Sequence, residues 1–480
     1  MKLVRIAVAA SFFLSAATAQ LSSDPGRTNR NDKPNVVILL TDDQGTLDAN
    51  CYGSTDLDTP AMDSLADSGV RFTQAYSHTV CCPARAMLMT GRHPQRGNVN
   101  DWMQGPMNGP KGRNMLTSEV TIAEVLREAG YRTGLFGKWH LGGHPDHGPT
   151  KQGFDEFFGI RDGFIENYTH YFLHRNGYHD LYEGMREVFR RGSYFPDLMV
   201  DRALSFMDRH QDRPFFLYVP FNIPHYPEQS LERFRDRYQH MPEPRRTYAA
   251  AVTTTDDYIR RILVQIDNLG IRDNTIVIFQ SDNGHSEEDY QVTVDGHLSG
   301  FPKGWNYGAN AGGGNTGKWI GAKGSFLEGG IRVPAIFRYP PLTADGGQVR
   351  DQAITAMDWF PTILELIGLN GPKGVQLDGH SAAPVIKSAS ADSAYGVMHW
   401  QWQSRWVVRD GDWKLMYDGA RNLAGGDDTK VYLSNLSDAE PEQTNHASAQ
   451  PEIVKRLTAL HEEWAKKVTP PNLPSGTSLP

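Results

Sequence analysis

Short apolar runs alternate along the chain with stretches whose apolar residues recur at helical spacing. Val36-Val37-Ile38-Leu39-Leu40 carries no polar residue, as a strand covered on both faces requires. Tyr131 to Phe136, Phe215 to Val219, Thr275 to Phe279 and Pro334 to Phe337 are the other buried-strand candidates, each flanked by turn residues. Helix boundaries are marked beside them. Thr59 stands as N-cap before Pro60, with Gly69 closing that helix, and Thr121 with Glu124 three residues on reads as a capping box in a helix that stops at Gly130. Such alternation predicts an α/β domain with a largely parallel central sheet. After a helix around Trp359 to Leu369 the texture changes. From Tyr395 to Leu436 the pattern predicts antiparallel strands, with Arg409-Asp410-Gly411-Asp412 as the turn between Trp406-Val407-Val408 and Trp413-Lys414-Leu415-Met416. Ile453, Leu457, Leu460 and Trp464 share one helical face, so a terminal helix is expected on that small sheet. The expected division is a leader at 1–19, a large domain at 34–370, a small one at 371–468 and a Pro-rich tail at 469–480.

Composition narrows the function classes. At 480 residues and 39% hydrophobic, the chain can bury a substantial core and exceeds one typical domain. A formal charge of −8 with 22% charged residues offers no basic footprint for nucleic acid and no polybasic anchor. An anionic ligand therefore needs a local positive site. Lys2 and Arg5 precede an apolar stretch ending in Ala17-Thr18-Ala19, the layout of a secretory leader cleaved after Ala19, which places the mature protein outside the cytoplasm, secreted or periplasmic. No later run is apolar long enough to span a bilayer. The three cysteines, Cys51, Cys81 and Cys82, cannot form a disulfide framework for so long a chain. Two adjacent thiols invite either a bridge from one of them to Cys51 or chemistry at one of them.

In open parallel sheets ligands sit beyond the carboxyl ends of the strands. The residues found there are Asp42-Asp43, Lys138 and His140, His225, and Asp282-Asn283. Three carboxylates and a carboxamide converge only around a cation, and oxygen ligation favours calcium or magnesium over zinc. Singly, each has an ordinary reading: Asp-Asp is a common capped turn, Asp-Asn-Gly a turn tripeptide, and one histidine after a strand a hydrogen-bonded surface residue. Their recurrence at successive strand ends favours one joint site.

Cys81-Cys82-Pro83-Ala84-Arg85, followed by Thr90-Gly91-Arg92, resembles the C-x-P-x-R and T-G-R signature of the formylglycine-dependent type I sulfatases. Asp42-Asp43-Gln44-Gly45, Gly137-Lys138-Trp139-His140-Leu141-Gly142, Asn222-Ile223-Pro224-His225, Ser281-Asp282-Asn283-Gly284, the segment from Lys323 to Pro334, and Val408 to Leu415 extend the likeness over most of residues 34–465. Ala84 departs from the serine common in that family, and residues 285–322 show no matching motif. The resemblance implies an alkaline-phosphatase-like large domain, with a mostly parallel sheet flanked by helices, and a smaller C-terminal domain with an antiparallel sheet and terminal helix. It implies that a formylglycine-generating enzyme oxidises Cys81, and that Asp42, Asp43, Asp282, Asn283 and residue 81 hold one Ca2+, or Mg2+. Arg85 would position the aldehyde hydrate, one hydroxyl of which attacks sulfur while the other expels sulfate by collapse to the aldehyde. Lys138, Lys323 and His225 would hold the sulfate oxygens, His225 with Lys323 would protonate the leaving alcohol, and His140 would take the second diol proton. Pro83 in a first turn puts position 81 at a helix N-terminus, which favours an anion.

The expected substrate is a sulfated polysaccharide or oligosaccharide, cut from a chain end. His285, Trp102, Trp305, Tyr307 and Trp319 are candidate substrate contacts, although a tryptophan in a Gly-rich loop can equally be the loop's own core. Glu328 and Arg332, around a Gly-Gly pair, are read as fixing loop geometry. Two alternatives stand beside this reading. A phosphate or phosphonate monoester hydrolase of the same superfamily would commonly use two metals, and one acidic set is evident. An inactive, sulfatase-like glycan-binding protein would have no need of Cys81.

Overall fold

The computed structural model describes residues 33–102, 114–308, 310–420 and 430–468; the expected leader and tail lie outside the described residues. Strand β1 (Asn35–Asp42) is buried at every position. Val36, Ile38 and Leu40 enter one core and Val37 and Leu39 the opposite one, because successive strand side chains point to opposite faces. A sheet interior between two helical layers therefore demands the unbroken apolar run. In chain order follow α1 (Pro60–Asp67), β2 (Val70–Tyr76), α2 (Cys81–Thr90), α3 (Ile122–Glu128), β3 (Arg132–Lys138), β4 (Glu156–Ile160), α4 (Phe195–His210), β5 (Phe215–Pro224), α5 (Arg245–Asn268), β6 (Thr275–Ser281), α6 (Glu328–Ile331), β7 (Arg332–Arg338) and α7 (Trp359–Leu366).

The central strands lie in the order β2-β7-β6-β1-β5-β3-β4, with short strands beyond both ends. From β6 to β4 the pairing is parallel throughout. The mostly parallel sheet is thus present, with one reversal: β7, which contains the Pro334–Phe337 run, is antiparallel to both β6 and β2. Helices α2, α3 and α7 pack on one face, and α1, α4 and α5 on the other.

Local signals explain the helix starts. Thr121 Oγ1 accepts from Glu124 N at 3.2 Å while Glu124 Oε2 accepts from Thr121 N at 2.8 Å, the reciprocal capping box. Thr59 occupies the N-cap of α1, but its hydroxyl accepts from Asn50 N instead. The N–H groups of Ala61 and Met62 donate to the two carboxylate oxygens of Asp256, on α5, at 2.9 and 2.8 Å. A carboxylate at the positive end of α1 thereby ties two helices together.

Beyond α7, β8 (Val397–Trp402), β9 (Arg405–Asp410), β10 (Trp413–Tyr417) and β11 (Val431–Asn435) form an antiparallel sheet in sequence order. The terminal helix α8 (Pro451–Val468) buries Leu457 against Trp406, Val408, Leu415 and Leu433. A buried ionic cluster joins this sheet to the large one. Lys414 Nζ donates to Glu328 Oε1 at 2.8 Å and to Glu442 Oε1 at 2.9 Å, while Arg332 and the Tyr76 hydroxyl donate to Glu328 Oε2. Glu328 and Arg332 thus hold α6 and the start of β7 against β10. Among the described residues no helix is long and apolar enough to cross a membrane.

Candidate active site

Because β1 and β6 are parallel neighbours, the acidic pairs at their carboxyl ends emerge side by side. Asp43 takes a left-handed conformation, with φ of 63°. Its N–H donates to Asp282 Oδ1 at 3.2 Å, and Asn283 Nδ2 donates to Asp43 Oδ1 at 2.6 Å. Carboxylate oxygens of Asp42, Asp43 and Asp282 lie within 4.8 Å of one another, all buried. Burial raises Asp42 to about 8 and Asp43 to about 6, overcoming the opposing pull of Lys138 on the first and Lys323 on the second. Asp42 Oδ1 and Asn283 Oδ1 are buried and accept no hydrogen bond. Orphaned oxygens in a knot of like charge fit a hard divalent cation, which would satisfy both defects together.

Three cations surround these acids. Lys138, at the end of β3, donates from Nζ to Asp42 Oδ2 at 2.6 Å. Arg85, one turn beyond Cys81 on α2, donates from Nε and Nη2 to Asp282 Oδ2 at 3.1 and 2.8 Å and from Nη1 to the Lys138 carbonyl at 2.8 Å. Lys323 Nζ lies 2.9 Å from each of Asp43 Oδ2, Glu288 Oε2 and His225 Nε2. His225 Nδ1 is 2.6 Å from the Tyr226 carbonyl, so Nδ1 carries the ring proton and Nε2 accepts from Lys323. Burial, then the Lys323 charge, holds the imidazole well below its usual range and therefore neutral.

Cys81 is the first residue of α2 and is 1% exposed. Its sulfur lies within 4.8 Å of an Asp42 oxygen and a His225 nitrogen. Burial pushes its thiol up to about 12, against the pull of Lys138 and Lys323, so the unmodified side chain is protonated and a weak nucleophile. His140, also left-handed with φ of 56°, sets Nε2 3.2 Å from Cys82 Sγ, one residue along from position 81.

The expected substrate contacts are spread more widely. Trp102 is 37% exposed and meets His174 edge-on, with ring centres 6.5 Å apart, while Tyr307 is buried beside Tyr226. Trp305 is 45% exposed and stacks on Phe301 with ring centres 5.1 Å apart. Trp319 lies under the Arg332 guanidinium at 4.0 Å, on the side facing the ionic cluster. His285 is buried where a side chain at Gly314 would collide with it, and its carbonyl accepts the Lys323 N–H at 2.9 Å. Two contributors have no mark in the sequence. Tyr248 ties the Asp43 carbonyl to the Gly45 N–H through its hydroxyl, and Glu288 sits in the acidic triplet Glu287-Glu288-Asp289, within a segment of no periodicity.

The family model described as Sulfatase matches residues 34–369. The chain belongs to the sulfatase family. It is accordingly a sulfuric ester hydrolase, and its architecture is the alkaline-phosphatase-like fold of that family. N-acetylgalactosamine-6-sulfatase of Rattus norvegicus is 33% identical over 74% of this chain and 66% of its own length. Arylsulfatase D of Homo sapiens is 30% identical over 80% of this chain and 75% of its own. Among solved structures Ps i-CgsB, also solved in complex with k-i-k-neocarrahexaose, superposes with a TM-score of 0.74 at 27% identity, covering 90% of this chain and 92% of its own.

In the sulfatase the loop after Asn283 packs against backbone at Gly284. A Cβ on Gly284 would lie 1.8 Å from the Gly329 carbonyl oxygen, and the Gly284 N–H donates to the Gly330 carbonyl at 2.9 Å. Both partners are backbone, so the loop must shift. Gly284→Ala is expected to lower turnover of an aryl sulfate on the order of 100-fold by displacing Asn283; steady-state kinetics on the purified variant measure it.

Proposed function

We propose that this sulfatase is exported by a leader at 1–19 and releases sulfate from sulfated polysaccharides or their oligosaccharides, using formylglycine made from Cys81 by a formylglycine-generating enzyme. The observation that carries the reading is the place of Cys81. It lies buried at the start of α2, its sulfur within 4.8 Å of an Asp42 oxygen and of a nitrogen of His225, the histidine that Lys323 contacts. A hydrated aldehyde there would supply one hydroxyl to attack sulfur and a second to expel sulfate. Asp42, Asp43, Asp282, Asn283 and residue 81 would hold Ca2+, which when bound polarises a sulfate oxygen and acidifies the attacking hydroxyl.

The chain's own groups divide the remaining work. Arg85, anchored on Asp282 and the Lys138 carbonyl, stands one helical turn from residue 81 and orients its hydroxyls. Lys138 and Lys323 present ammonium protons to the sulfate oxygens. Lys323 and His225 share one proton along a 2.9 Å contact, and from that pair the leaving alcohol is protonated, as a sugar alcohol requires. His140, beside Cys82, accepts the proton when sulfate is expelled.

Charge favours sulfate over phosphate. With all four carboxylates ionised, as a bound cation would hold them, Asp42, Asp43, Asp282 and Glu288 against Arg85, Lys138 and Lys323 leave one negative charge in excess. A divalent ion would turn that into one positive charge, the complement of a sulfate monoester, whereas a phosphate monoester carries about −1.5 to −2 at neutral pH. Asp43, His225 and Glu288, a second trio of ligand type, are already bridged by the Lys323 ammonium, so a second metal has no place among them. Sugar as the substrate class is supported by the likeness to N-acetylgalactosamine-6-sulfatase and to Ps i-CgsB, which is solved in complex with k-i-k-neocarrahexaose. The test is sulfate release from 4-nitrophenyl sulfate and from a panel of sulfated oligosaccharides, by protein co-expressed with the modifying enzyme. Activity on some of the panel is expected, and none on any of them would contradict the proposal. Chelation followed by dialysis should lower the rate by at least about 100-fold, with recovery on adding Ca2+; unchanged turnover after metal removal would remove the ion from the scheme.

A further inference from the structure

We propose that Glu288 is a specificity-determining residue: it makes the leaving-group side of the site accept an uncharged sugar unit and disfavour one that carries a second anion beside the ester. The inference rests on the sulfatase reading above. In-line displacement sends the alcohol away from residue 81, toward its proton source at Lys323 and His225. Glu288 closes that side, with Oε2 2.9 Å from Lys323 Nζ and 2.9 Å from the Ser286 hydroxyl that donates to it. Its side chain is 26% exposed, whereas those of Lys323 and Asp43 are 7% and 1%. Of the four carboxylates in the site it is the one bordering solvent, where a departing group would meet it.

The surroundings suit a sugar. Tyr290, 38% exposed, packs against His174 with ring centres 4.9 Å apart, and Trp102 meets the same histidine. These rings give a partly apolar wall beside a hydrogen-bond acceptor, a surface that takes a pyranose face and a hydroxyl together. A sugar hydroxyl can donate to the carboxylate. A carboxylate or second sulfate on the substrate gains little from Lys323, whose charge is already met by Asp43 and Glu288, and it is repelled by Glu288. Exposed Glu287 and Asp289 add the same sign at the rim.

The charge of the leaving group can be varied without knowing the natural sugar. kcat/KM is measured for 3-(carboxymethyl)phenyl sulfate and for its uncharged carboxamide, which match in size, using metal-loaded, formylglycine-containing enzyme. Wild type should prefer the carboxamide by about tenfold or more at low salt. Glu288→Gln should narrow the preference to within about threefold, whatever it does to both rates through Lys323, and Glu288→Asp should restore it. Equal rates on the two esters by wild type, or an unchanged preference in E288Q, would overturn the assignment. Hydrolysis of neither ester by aldehyde-bearing wild type that still releases sulfate from the oligosaccharide panel would overturn this inference alone, whereas no sulfate release from any substrate would bring down the proposed function and this inference with it.

Discussion

Cys81→Ala is expected to lower kcat/KM for an aryl sulfate by at least about 10^4-fold, while the unfolding midpoint moves by no more than a few degrees. The large kinetic effect follows because residue 81 would make and break the covalent bond to sulfur, and no neighbour can replace it: Cys82 faces His140, and the nearby hydroxyl of Tyr218 lies beside Arg85. The small structural effect follows from what the thiol touches. Cys81 begins α2, and the packing of that helix comes from Cys82, Ala86, Met87, Leu88 and Met89 in the main core. Kinetics and thermal unfolding on the same preparation measure both halves. Retained turnover in the variant would move the nucleophile elsewhere, and a collapsed fold would show that the cysteine is structural.

Lys414→Ala is expected to cost about 3–5 kcal/mol of stability, because it leaves two carboxylates buried without their shared cation. Lys414, Glu328 and Glu442 have side chains at most 1% exposed. Burial alone would raise the Glu328 carboxyl, yet Lys414 and Arg332 outweigh it and hold it down at about 2. A double replacement, Lys414→Met with Glu442→Gln, should recover part of the loss, since the second change removes one of the stranded charges. Urea unfolding of the single and double variants measures the coupling. Turnover should fall as well: α6, which Glu328 begins, supplies the Gly330 carbonyl that holds Gly284 beside Asn283. A variant of wild-type stability would mean that the cluster is solvated or rearranged.

The parts of the fold that could be read from the chain are those where burial leaves a signature in one dimension. β1, β5 and β6 are covered on both faces, so their apolar runs stand out and the residues after them are the site residues. Direction leaves no such signature: the apolar run in β7 looks the same parallel or antiparallel, and only the structure reverses it. β2 was hidden because Arg71, Thr73 and Gln74 interrupt its apolar residues on a half-covered strand. The Thr59 position was legible, whereas its replacement as cap by Asp256 depends on a helix 195 residues away. In the site, Asp42 and Lys138 end strands and Asp43, His225, Asp282 and Asn283 follow strand ends, while Glu288 and Tyr248 reach it from a loop and from the first turn of a long helix. Trp319 illustrates the converse: its Gly-rich setting says nothing of which way the ring faces, and the guanidinium of Arg332 lies against it.

A carbonyl carbon in place of a thiol at position 81 changes the mass of the peptide spanning Cys81, which mass spectrometry reads. Protein matured with a formylglycine-generating enzyme should yield that peptide as the aldehyde, with sulfatase activity rising in proportion to the converted fraction. Full activity from protein whose peptide carries only the intact thiol would show that sulfate transfer does not pass through an aldehyde at position 81.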